Sequence, residues 1–152
     1  MSHDEDQIAL RQRWISILAK ADSNKLLDLW SKKPETDAFQ VLRKPETGLV
    51  MVRGRMGGTG APFNAGEATV TRCSVRSTAG HVGHSYVMGR NHDHAMIAAK
   101  IDAQLQDETR FETVMSEIVE PLAEYQSEAK QINREKVAAT KVDFFTMVRG
   151  ED

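Results

Sequence analysis

The sequence predicts an α+β domain, and three observations lead there. Apolar residues recur at helical spacing in a stretch ending near residue 33 and again between residues 91 and 139. Residues 39–88 between them are rich in Val and Thr and are interrupted by glycines. Turn-forming pairs, Lys44-Pro45 and Ala79-Gly80, cut that central stretch into strand-length runs. A mostly antiparallel sheet is therefore expected over about residues 39–88, with N-terminal helices before it and long helices after residue 91.

In order along the chain, Ile8, Ala9, Trp14, Ile15, Leu18 and Ala19 recur at a spacing near 3.6 and predict an amphipathic helix from about Asp6 to Ala21. A short second helix with Asp22 or Ser23 as N-cap carries Leu26, Leu27, Leu29 and Trp30 and stops at Lys33-Pro34. Trp14 and Trp30 read as core or interface anchors. Phe39-Gln40-Val41-Leu42-Arg43 predicts one strand and residues 47–55 a second, paired as a hairpin through the Pro45 turn. A third strand is expected over residues 68–78, with Arg72, Ser74 and Arg76 on one face and Thr71, Cys73 and Val75 on the other. The fourth is expected from Val82 to Met88. Asn91 then caps a helix whose stripe is His94, Ile97, Ala98, Ile101 and Leu105. A further helical pattern runs from about Glu108 to Ala138, and Pro121 predicts a kink or a division in it. The last apolar run, residues 142–149, reads as a C-terminal strand that joins the sheet or as a segment docked on a partner.

The chain of 152 residues suffices for one domain, with no internal repeat or linker. With 20 basic and 22 acidic residues the net charge is −2, so no global field attracts nucleic acid or membrane. Cys73 is the single cysteine, which excludes an internal disulfide and a cysteine-based zinc cluster. The acidic start, His3-Asp4-Glu5-Asp6, is unlike a signal peptide, and no apolar run approaches the roughly 20 residues that span a bilayer. A cytoplasmic protein is expected.

The densest feature is Arg53-Gly54-Arg55-Met56-Gly57-Gly58-Thr59-Gly60. Backbone amides with Arg53 or Arg55 are suited to enclose a phosphate or phosphonate. The Gly-Lys-Ser/Thr ending of a P-loop is missing, however, and no helix follows the last glycine. The plainer reading is a tight turn that contacts a partner.

Four histidines cluster downstream, but their spacing does not suit a metal. His81 and His84 would point to opposite faces of a strand, and His92 and His94 lack the i, i+4 separation of paired helical ligands. A hydrogen-bonded core or interface role is the expectation for His94. Arg90, ahead of the helix at Asn91, marks a local anion site without a catalytic group. Asp93 and Glu67 have no second carboxylate or nucleophile arranged with them in the sequence pattern.

Read as an ordered set, Thr47-Gly48-Leu49-Val50, Arg55 to Gly60, Gly66-Glu67-Ala68-Thr69-Val70-Thr71-Arg72, Val75-Arg76, Gly89-Arg90, His94-Ala95 and Val142-Asp143-Phe144-Phe145-Thr146-Met147-Val148-Arg149-Gly150 resemble the PhnG family of the bacterial carbon–phosphorus lyase system. The resemblance spans nearly the whole chain. It implies a subunit of a core complex with PhnH, PhnI and PhnJ. It further implies that PhnG, PhnH and PhnI, helped by the ATPase-like PhnL, replace the adenine of MgATP with methylphosphonate to give α-D-ribose 1-methylphosphonate 5-triphosphate. In that system PhnI is credited with the nucleosidase chemistry, and PhnJ, a radical enzyme with an iron–sulfur cluster, breaks the C–P bond.

On the family pattern, Arg55, Gly57, Gly58, Gly60, Arg72, Arg76, Arg90 and His94 are the anion or partner-contact candidates, and Phe144, Phe145 and Met147 the interface candidates. Neither a catalytic residue nor a metal or cofactor of its own is implied, and MgATP is the substrate of the complex. The expected role is an accessory partner of PhnI in one domain, with a helical arm over residues 1–33. The rival is a self-sufficient phosphate-binding enzyme using the loop from Arg53 to Gly60.

Overall fold

A computed structural model describes residues 2–33 and 37–149, and the side chains of all of these except 141–149. The elements are α1 (Ser2–Lys20), α2 (Ser23–Ser31), β1 (Phe39–Arg55), β2 (Pro62–Ser77), β3 (Val82–Met88), α3 (His92–Leu105), α4 (Glu108–Val114) and α5 (Glu120–Arg149). A π-helical turn, Met115–Val119, joins α4 to α5. The three strands form one antiparallel sheet in the order β1-β2-β3, so the α+β expectation holds.

The helix α1 starts several residues earlier than its apolar pattern, because Asp4 and Glu5 in its first turn complement the helix dipole. Its first turns overhang the body. Ile8, placed on the buried stripe by spacing, is 59% exposed, while Trp14 and Leu18 are buried. Asp22 caps α2, its carboxylate accepting the Lys25 amide at 3.0 Å.

Where two short strands and a Pro45 hairpin are expected, the chain forms one strand, β1, paired along its length with β2. Pro45 is accommodated by a bulge. From Val41 to Glu46 β1 advances five residues while β2 advances three, from Val75 to Arg72. Since β1 is an edge strand, the missing proline amide breaks no pairing on its outer side, and the surplus residues form the irregularity. The true hairpin turn is the glycine loop.

Both faces of α3 are buried. Ala95, Ala99 and Ala103 lie against Cys73, Val75 and Val87 of the sheet. Ala98, Ile101 and Leu105 meet Trp14, Leu18, Leu26, Val114, Ile118 and Leu122 on the other side. The approach to β3 is close enough to require glycine: a Cβ on Gly83 would lie 1.9 Å from the Ala99 carbonyl oxygen and 2.6 Å from the Ala103 nitrogen. An alanine stripe facing a glycine thus sets the helix-to-sheet distance.

Pro121 lacks the amide that would bond back along the helix, and the π turn directly before it carries the chain past this defect. The helix therefore divides without ending. The C-terminal strand expected at residues 142–149 is instead helix, since α5 continues to Arg149. No Gly or Pro stands between Leu122 and Arg149, and each residue added to an established helix gains a hydrogen bond, which overrides the β-propensity of Val142 and Phe144.

Two elements leave the body. Residues 62–69 of β2 pair with β1 but not with β3, whose pairing starts at Val70, so the ribbon projects about 26 Å at roughly 3.3 Å per residue. After Gln126, which donates to the Ile17 carbonyl at 2.8 Å, every described side chain of α5 is exposed. The 23 residues from 127 to 149 extend about 35 Å at 1.5 Å rise.

Candidate functional site

The alternation of β2 decides which side chains face outward. Thr71, Cys73 and Val75 are buried beneath α3, and Arg72 and Arg76 are exposed on the opposite face, as the strand period predicts. Register then assembles rows across that open face. Arg43, Ser74 and His84 stand opposite one another on β1, β2 and β3, and Glu46, Arg72 and Tyr86 form the next row. Ser74 Oγ lies 2.8 Å from His84 Nδ1. One carboxylate oxygen, Glu46 Oε2, pairs with Arg43 Nη1 at 3.5 Å and with Arg72 Nη2 at 3.4 Å. Arg43, Arg72, Ser74, His84 and Tyr86 border a cavity of about 170 Å³.

The residues singled out from the sequence do not converge on one point. Arg72 and Arg76 share the open face. Arg55, Gly57, Gly58 and Gly60 lie at the tip of the projecting ribbon. Gly57 (φ 62°) and Gly58 (φ 79°) take left-handed backbone with open space around them, and serve the turn itself. Gly60 is different: a Cβ there would stand 2.8 Å from the Met56 carbonyl oxygen. Arg90 is exposed in the turn between β3 and α3. Phe144, Phe145 and Met147 lie on the last turns of α5, outside the described side chains.

The remaining candidate, His94, is buried in the core at 1% exposure. A carbonyl only accepts, so Nε2 carries a proton and donates to the Leu18 carbonyl at 2.7 Å. Nδ1 meets Ser23 Oγ at 2.8 Å, and that oxygen accepts from Asn91 Nδ2 at 3.0 Å. His94 therefore links α1, α2 and the N-cap of α3, a structural role that keeps it from solvent. His81 borders a different cleft, His84 lies on the open face, and His92 Nε2 is 3.2 Å from Thr47 Oγ1. Among the described residues, no three His, Cys, Asp or Glu side chains gather as a metal site.

Asp102 was not singled out by its sequence position. Fully buried on α3, it accepts from Arg11 Nη2 at 3.0 Å, Trp14 Nε1 at 2.8 Å and the His84 backbone amide at 2.9 Å. Its signal in the sequence was an acidic residue inside the apolar stripe between Ile101 and Leu105, which demands buried partners. Burial also pushes the Cys73 thiol above its usual range, and the field of Lys100 and a hydrogen bond at the Ser74 backbone only partly oppose this. It is held as an inert thiol.

A larger cleft of about 800 Å³ lies beneath the overhang of α1, lined by Ile8, Trp14, Leu105 and Phe111. Asp4, Glu108 and Glu112 border it with Arg11, whose guanidinium is already paired with Asp102, so its free charge is acidic and disfavours phosphorylated ligands. The open sheet face, by contrast, carries Arg43, Arg72 and Arg76 beside one another in register.

Residues 9–150 match the family model described as phosphonate metabolism protein PhnG. The chain belongs to the PhnG family. It is also 42% identical over 149 residues to the α-D-ribose 1-methylphosphonate 5-triphosphate synthase subunit PhnG of Rhizobium meliloti (strain 1021), covering 98% of this chain and 95% of that relative. The matched span includes the open sheet face, the ribbon and all of α5, so the projecting elements fall inside the family's region of similarity. No helix among the described residues is long and apolar enough to cross a membrane.

Proposed function

We propose that this chain is the PhnG-family subunit of an α-D-ribose 1-methylphosphonate 5-triphosphate synthase, a cytoplasmic hetero-oligomer in phosphonate catabolism. In this reading it acts with PhnH, PhnI and PhnL on MgATP and methylphosphonate with release of adenine, beside PhnJ in the same core. Its own part is non-catalytic: it docks on PhnI and supports that subunit's site. It holds no cofactor of its own, and MgATP is the substrate of the assembly.

The observation that carries this reading is the projecting ribbon. Leu49 is 66%, Met51 60% and Met56 75% exposed, with Val50, Val52 and Phe63 also open, so both faces of a two-stranded arm present apolar surface. A lone two-stranded ribbon is marginal in water, and apolar exposure on both faces is the mark of a surface covered in an assembly. The solitary half of α5, with Ile132 and Val137 exposed, offers a second such surface, and Tyr125 is exposed just before it.

The test is co-expression with a PhnI-family partner. The intact chain should co-purify as a stable complex, while a variant whose residues 49–66 are replaced by a short turn should fold and fail to associate. Persistence of the intact chain as a monomer beside that partner refutes the assembly role. Release of adenine by the isolated chain from MgATP and methylphosphonate would instead establish the self-sufficient enzyme built on the Arg53 to Gly60 loop.

A further inference from the structure

We propose that the open sheet face is an oxyanion site for one tetrahedral phosphoryl or phosphonyl group, held by Arg43, Arg72, Ser74 and His84, with Glu46 as the counter-ion displaced on binding. The choice of physiological ligand rests on the function proposed above; the site itself rests on geometry.

The bulge in β1 aims the two charged side chains. Arg43 and Glu46 are three apart, and on a regular strand they would project from opposite faces. The surplus residues around Lys44-Pro45 turn both to the outward face, opposite Ser74 and Arg72 respectively. Bulges re-aim side chains in this way, and are over-represented beside functional sites.

Two guanidiniums converge on a single carboxylate oxygen, at 3.5 and 3.4 Å. Charge-assisted bonds of full strength are nearer 2.7–2.9 Å, so Glu46 is a weak occupant of the position between the arginines. A dianionic group with three oxygens satisfies both forks at once, which one carboxylate oxygen cannot do. Ser74 Oγ and His84 Nδ1 share one hydrogen bond at 2.8 Å beside them, and with Nδ1–H as its donor the Ser74 hydroxyl is free to donate to the anion. The exposed ring of Tyr86, paired with Arg72 in register, closes one side.

The cavity of about 170 Å³, which Arg43, Arg72, Ser74 and His84 border and Glu46 does not, is smaller than the roughly 300 Å³ at which sites for drug-sized ligands begin. It admits one phosphoryl or phosphonyl group and leaves the rest of a nucleotide outside.

The experiment is an NMR titration of the full chain with inorganic phosphate, methylphosphonate and ATP in parallel. Saturable shifts at the amides of Arg43, Arg72, Ser74 and His84 are expected. Binding should weaken about tenfold in Arg72→Ala and in Arg43→Ala, each of which removes a charge-assisted bond. Glu46→Gln should strengthen it, an outcome that a purely structural ion pair would not give. A tighter response to methylphosphonate than to ATP assigns the phosphonate as ligand, and the reverse order assigns the nucleotide's phosphate. Shifts that fail to saturate with all three probes, or an affinity unchanged in Glu46→Gln and in both arginine variants, overturn the site. Binding of inorganic phosphate by a chain that never joins its PhnI partner would uphold the site while refuting the assembly role.

Discussion

Trp14 on α1 and Asp102 on α3, 88 residues apart, are joined by an indole N–H that donates to the buried carboxylate at 2.8 Å. The same carboxylate receives Arg11 and the His84 amide, so one side chain ties α1, β3 and α3 together. Replacing it with alanine leaves an indole N–H, a backbone amide and part of a guanidinium without their partner. Removing one member of a buried ion pair costs about 3–5 kcal/mol, and the lower end applies because Arg11 is 37% exposed. Asp102→Ala should lower the unfolding free energy by that amount, read as a lower urea midpoint at constant slope, and Arg11→Ala by less. An Asp102→Ala variant of unchanged midpoint would show that the network contributes nothing net.

Gly83 is predicted to tolerate no side chain. An alanine Cβ there would collide with backbone atoms of α3 at Ala99 and Ala103, and helix backbone cannot rotate aside as a side chain can. Gly83→Ala should therefore separate α3 from the sheet at a cost of about 3 kcal/mol or more, the upper range for overpacking. Gly80→Ala makes a useful control. Gly80 has open space but a φ of 94°, so its cost is the smaller one of backbone strain. Thermal unfolding of the two variants should separate clash from strain, with the Gly83 variant the less stable.

Much of this architecture was legible before any coordinates, because local signals agreed with the fold. Val82–Met88 and the caps at Asp22 and Asn91 fall where alternation and capping chemistry put them. Pro45 misled, since a proline that marks a turn in most settings also fits a bulged edge strand, and only the long pairing with β2 decides between them. Phe144-Phe145 misled in the opposite sense: local β-propensity lost to propagation of a helix already formed. The face carrying Arg43, Ser74 and His84 was the least legible part. It depends on a register offset of two residues in β1 that no periodicity encodes.

Asp107, the N-cap of α4, supplies a pH prediction. Its carboxyl is held below the ordinary aspartate value of 3.8 by hydrogen bonds first from the Thr109 hydroxyl and then from the Thr109 amide. A folded-state value below the unfolded one means that the stabilisation is complete above the unfolded value and is lost as the pH falls through the folded one. The native protein should thus lose stability on acidification through and below that range. Asp107→Asn keeps a capping oxygen but cannot titrate, so its stability should fall less steeply there. Chemical denaturation at a series of acidic pH values measures both slopes, and parallel curves would remove Asp107 as a contributor.

Cys73 offers a readout of the contact between sheet and helix. At 1% exposure, beneath α3 and 3.9 Å from Met96 Sδ, its thiol has no path to a reagent while α3 remains docked. Desolvation also keeps it protonated at neutral pH, and the thiolate is the reactive form. Ellman's reagent should therefore leave the native protein unlabelled and react fully in denaturant. In mild urea the labelling rate should follow the global unfolding equilibrium if sheet and helix separate only on complete unfolding. Faster labelling would mean that α3 lifts from β2 and β3 in a partial opening. Arg11 and Trp14 then separate the two cases: their variants should accelerate that opening, because the Asp102 network is what fastens α3 to α1 and β3.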